Sequence, residues 1–151
     1  VLDRYGFEII DLASMEVDEQ RDRIGNAEIV IATYGSDLLA SFFMQSGTDF
    51  IELRYDAYMD AVAGPMCVLS DVNYHLLIGR RAEKSNLVRM KKDSDFVVDC
   101  EKLSELLAKI VSRASDRNIG RIAVTFGSER TEDAQGDLGT LAYQGKAIPK
   151  F

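Results

Sequence analysis

Between a β-branched run, Ile29-Val30-Ile31-Ala32, and an apolar stretch, the chain carries Tyr34-Gly35-Ser36-Asp37. A turn of this kind, leading from a strand into a helix, is where backbone amides converge on an anion and a small residue lets a phosphate approach. Glu52, near the end of "FIEL", puts a carboxylate at a strand end, where it either contacts a ligand or pairs with Arg54 or a lysine. Arg80 and Arg81 follow directly on "YHLLIG". They either emerge at a ligand-binding sheet edge and neutralise a diphosphate, or form a surface turn. Tyr34 either stacks on a base or sugar or simply shields the loop. His75, the single histidine, has no Ser, Cys or carboxylate neighbour at triad-like spacing, which favours a partly buried structural role over a general base. "GSERTEDAQG" lacks the Gly-Lys-Ser/Thr end of a P-loop.

The elements that must position these residues follow from the hydrophobic pattern. A strand is expected over Phe7 to Asp11, then a short polar helix capped by Ser14 or Asp18 and stopped by Gly25-Asn26. The buried strand 29–32 leads through the turn to a helix with Ser36 or Asp37 as N-cap and an apolar stripe of Leu38, Leu39, Phe42 and Phe43. Asp49 to Leu53 is the next strand. Residues 57–62 suggest a helix broken at Gly64-Pro65 and followed by a turn containing Cys67. Asn73 opens another strand, and "DFVVDCEKLSELLAKIVSRASDRN" reads as a helix with Asp99 as N-cap and Leu103, Leu106, Leu107, Ile110 and Val111 at helical spacing. The β-α-β-α-β order predicts an α/β fold, a Rossmann-like parallel sheet with helices on both faces. That domain is assigned to residues 1–119. "RIAVTF" reads as one more strand at most, and 120–151 as an irregular or partly ordered C-terminal extension.

With 151 residues, 46% of them hydrophobic, the chain is long enough for one domain with a real core. A formal charge of -7 and a pI near 4.7 argue against nucleic acid or an anionic membrane as partner. An anion must therefore be held locally, by amides and a few placed cations. Cys67 and Cys100 are widely separated and have no CxxC or Cys/His company, so reduced thiols in a cytoplasmic setting are expected and a metal site is not. No run is long enough to span a membrane. The chain starts at Val1 almost directly in a strand approach, which suggests either a removed methionine or, preferably, a piece of something longer.

"GFEIIDLASMEVDEQRDRIGNAEIVIATYGSDLLASFFMQSGTDFIEL" resembles the C-terminal, donor-side half of glycosyltransferase family 61. Glu19-Gln20 match that family's helix start, Ala27 precedes the apolar strand, and Tyr34-Gly35-Ser36-Asp37-Leu38 fall on its "G-P-H-G-A-G-L" loop. Gly47-Thr48 match the turn and Ile51-Glu52-Leu53 the last strand, while "DFVVDCEKLSELLAKI" is similar to the terminal helix. The resemblance covers about residues 4 to 111. It implies one lobe of a two-lobed GT-B fold that binds a nucleotide-sugar donor and needs no separate cofactor, with acceptor and catalytic base supplied by a second lobe. By the same resemblance the loop amides of Tyr34, Gly35, Ser36 and Asp37 steady the diphosphate, with Arg80 or Arg81, and Glu52 holds the nucleoside. The loop departs from the family at Thr33 (for Pro), Tyr34 (for His) and Asp37 (for Gly). A carboxylate beside a bound diphosphate costs about 1 kcal/mol or more, whereas Asp is a good N-cap. The implied alternative is a non-catalytic Rossmann-like module that has lost the donor site and serves in assembly or regulation.

Overall fold

β2, Ala27–Thr33, is buried along all but its last residue, as a β-branched run covered on both faces must be. The computed structural model describes residues 1–33, 36–55, 63–81, 96–113 and 120–125, with the backbone alone at 36–38, 55, 81 and 120–125. β2 lies inside a six-stranded sheet of order β1-β6-β2-β3-β4-β5. The other strands are β1 (Phe7–Asp11), β3 (Asp49–Tyr55), β4 (Asn73–Arg81), β5 (Phe96–Val97) and β6 (Gly120–Thr125). All neighbouring pairs are parallel except β4 with β5. The sheet is thus mixed, with an antiparallel strand of two residues at one edge.

Parallel neighbours require crossovers, and these supply the helices. α1 (Val17–Gly25), a 3₁₀ helix at Ser36–Phe43 and α2 (Ala63–Leu69) contribute Ile24, Ala40, Met44, Ala63 and Cys67 to one core, against Val30, Ala32 and Phe50 of the sheet. α3 (Cys100–Arg113) packs Leu103, Leu107 and Ile110 against Ile29, Ile31, Ile51, Leu53 and Leu77 in a second core. Because side chains alternate along a strand, the two clusters lie on opposite faces, and the fold is α/β with helices on both. Tyr5 Oη donates to the Ser104 carbonyl at 3.0 Å, which ties the N-terminal segment to α3.

Several expectations are corrected by this packing. The segment after the Tyr34-Gly35 turn is a 3₁₀ helix, with three residues per turn, so its apolar stripe shifts. Leu39 and Phe42 are exposed, while Ala40, Ser41 and Met44 are buried. Neither Ser14 nor Asp18 caps α1; Glu16 holds the N-cap position without a side-chain bond. Gly64-Pro65 does not break a helix but begins one, because proline in a first turn forfeits no helical hydrogen bond. Cys67 therefore sits inside α2, fully buried, rather than in a turn; the expected helix at 57–62 lies outside the described residues. The boundary expected between 119 and 120 does not fall at the margin of the sheet. Gly120–Thr125 is inserted between β1 and β2, since the crossover from β4 through α3 returns across the opposite face. Residues 126–151 lie outside the described residues.

β2 carries a bulge at Glu28, where Ala27 and Ile29 oppose the consecutive residues Gly120 and Arg121. No described helix is long and apolar enough to cross a membrane.

Candidate functional site at the carboxyl end of the central strands

The carboxyl ends of parallel strands are where crossovers begin and where open α/β sheets hold their ligands. At that edge Thr33, the last residue of β2, pairs with Leu53 of β3. Arg54 is the next residue along β3, and Ser36 starts the 3₁₀ helix three residues after Thr33. Glu52 and Arg54, two apart on one strand, share a face, and Tyr74 reaches that face from β4. Arg54 Nε donates to Glu52 Oε1 at 2.6 Å, and Tyr74 Oη donates to Glu52 Oε2 at 2.7 Å. Glu52 is fully buried and Arg54 nearly so.

Charge inside a core persists only when paired and hydrogen-bonded, and this carboxylate has a donor on each oxygen. Burial, then the hydrogen bond to Glu52 and its negative charge, push the Tyr74 phenol far above its ordinary value, with Arg54 opposing. Cys67 lies beside the same network. Burial raises its thiol pKa, a hydrogen bond from the Ser41 side chain offsets part of this, and Glu52 adds to the rise. The thiol is therefore a neutral, inert neighbour rather than a nucleophile.

Of the residues singled out in the sequence, Tyr34 and Gly35 lie outside the described residues, as do the side chains of Ser36, Asp37 and Arg81. Glu52 sits on β3 in the pair with Arg54 that its bland alternative anticipated. Arg80 is exposed near the end of β4, opposite Val97 of β5, and by strand alternation shares the face of Tyr74. β4 is parallel to β3, so Arg80 emerges at the carboxyl edge.

Two groups were not found from the sequence. Tyr74 joins Glu52 only through the β3–β4 register, for which no local spacing gives a signal. At the opposite edge, His75 Nε2 lies 2.6 Å from Asp49 Oδ1, and Arg113 at the end of α3 donates to the same oxygen at 3.1 Å. Asp49 is the carboxylate partner that the neighbourhood of His75 in sequence lacked.

Comparison with known families now bears on this geometry. Residues 1–51 match the family model Glycosyltransferase 61. The matched segment runs from the N-terminus through β1, α1, β2 and the 3₁₀ helix into the start of β3, so it frames one side of the site. It supports the family 61 assignment drawn from the motifs and points to glycosyltransferase function. Glu52, Arg54 and Tyr74 lie just beyond its end. No curated protein and no solved structure matches.

Proposed function

We propose that this chain supplies the nucleotide-sugar donor site of a glycosyltransferase resembling family 61, acting in polysaccharide or glycan synthesis. In this reading it is a Rossmann-like lobe of a GT-B enzyme, and the acceptor and catalytic base come from a second lobe. The acceptor oxygen attacks the anomeric carbon while the bond from that carbon to the diphosphate oxygen breaks. The nucleotide sugar is the donor substrate. It lies across the carboxyl ends of β2 and β3, near the amides of residues 34–37, with Arg80 and Arg81 toward the diphosphate.

The observation that carries the reading is that the family match runs into β3 just short of a carboxyl sheet edge holding arginines in an otherwise acidic chain. Titration of the 151-residue chain with UDP and GDP, followed by NMR chemical shifts and thermal unfolding, tests it. Saturable binding is expected. No response at millimolar nucleotide from a folded chain rejects the reading.

One observation favours the non-catalytic module instead: Glu52, expected to hold the nucleoside, has both oxygens engaged inside the protein. Asp37→Gly separates the two. Removing a repulsive carboxylate raises nucleotide affinity in a donor site and only lowers stability in a plain cap.

A further inference from the structure

We propose that Arg54, aimed by Glu52 and Tyr74, is the cation that binds the donor diphosphate, which makes Glu52 and Tyr74 positioning residues rather than ligand contacts. The inference rests on the donor-site reading above and names the group within it that meets the anion.

Three observations lead there. Arg54 is one residue past the last β2–β3 pair, Thr33 with Leu53, so its strand position lies at the mouth of the crossover that starts the 3₁₀ helix. Its side chain shares a face with Phe50 and Glu52, which is the face that this 3₁₀ helix covers. Arg80 lies further along β4 on the same face, exposed where Arg54 is buried. The two arginines therefore form an inner and an outer cation at one edge.

The contact to Glu52 runs through Nε. A carboxylate on the Nε side of a guanidinium fixes the plane and the χ angles of the side chain, and the terminal Nη edge then points along a set direction. Tyr74 in turn fixes the carboxylate, from a different strand. Such a relay does little for stability, because a buried ion pair barely recovers its desolvation cost. Its yield is orientation. Glu52 also cancels the bulk charge of Arg54, so the guanidinium offers directional donors for a phosphate rather than a diffuse positive field.

The test compares UDP, GDP and inorganic pyrophosphate with uridine and guanosine, on the full chain, by calorimetry. Arg54→Lys keeps a positive charge and removes the fork, and Tyr74→Phe removes only the last support. Wild type is expected to bind the diphosphates more tightly than the nucleosides. Arg54→Lys should weaken the diphosphates about 10-fold or more, the scale of a charge-assisted hydrogen bond, and leave the nucleosides unchanged. Tyr74→Phe, which is expected to fold, should shift affinity the same way by a smaller factor, and a purely structural tyrosine would not split diphosphate from nucleoside. If wild type binds nucleotides and a folded Arg54→Lys or Tyr74→Phe binds them equally well, Arg54 is structural and the donor reading survives. If wild type binds neither nucleotides nor pyrophosphate, both fall.

Discussion

Tyr74 Oη donates to Glu52 Oε2 across the β3–β4 boundary at 2.7 Å, and this bond joins the phenol to a carboxylate already held by Arg54. Tyr74→Phe is expected to lower stability by about 1.5–3 kcal/mol, the range for a hydrogen bond to a charged group. Glu52→Ala leaves Arg54 without its carboxylate in the core and should cost about 3–5 kcal/mol. Denaturant unfolding measures both, and a Glu52→Ala loss smaller than that of Tyr74→Phe contradicts the charge pairing.

The same phenol gives a pH dependence. Its folded pKa lies above the unfolded one, so above about pH 10 the unfolded chain loses the proton first. The stabilisation is complete below that pH and disappears as pH rises toward the folded value. The stability difference between wild type and Tyr74→Phe should therefore shrink from about pH 9 to pH 11. A constant difference over that range counts against the bond.

Asp49 holds His75 and Arg113 on one oxygen, and so seats the end of α3 against the amino edge of β3 and β4. Asp49 is nearly buried while Arg113 is more than half exposed. Asp49→Asn should cost about 1–3 kcal/mol and Arg113→Ala no more than about 1 kcal/mol, because solvent screens the outer partner. Equal losses would show that the arginine, not the histidine, carries the link.

At Gly79 an added Cβ would lie 2.7 Å from the Phe96 ring and 2.7 Å from the Val97 carbonyl oxygen, so β5 passes too close to β4 for any side chain. Gly79→Ala is expected to destabilise by about 1–3 kcal/mol and to shift the resonances of β5. Gly64, where a Cβ would make ordinary contact with the Tyr74 ring, is the control. Gly64→Ala should be neutral or stabilising, by up to about 1 kcal/mol, since alanine favours the helix.

Asp99 Oδ1 accepts from the backbone N–H groups of Glu101 and Lys102, and the Lys102 bond above all holds its carboxyl below the usual value. The folded pKa is the lower one, so the cap's contribution is present above the unfolded carboxylate value and is lost as pH falls through the folded value. Asp99→Asn keeps a capping oxygen and should remove that acid dependence, while Asp99→Ala should lower stability at neutral pH as well. Unfolding curves at pH 7 and at acid pH distinguish the two.

Hydrophobic alternation and helical spacing located β1, β2, β3, the strand at Asn73, α3 with its Asp99 cap, and the α/β class, because each signal is local. The family match over residues 1–51 agrees with motifs that were also local: Glu19-Gln20, Ala27 and the turn at 34–38. The sequence also placed Arg54 beside Glu52 as an available partner, two residues away on one strand. What it did not determine was anything that depends on which strands are neighbours. β6 entering between β1 and β2, Tyr74 completing the carboxylate of Glu52, and Asp49 answering His75 all depend on the register of separate segments. The 3₁₀ geometry at Ser36–Phe43 likewise turned the predicted stripe outward. Period and composition act within a few residues, whereas a buried charge is matched across strands, where only the packed sheet brings donor and acceptor within about 3 Å.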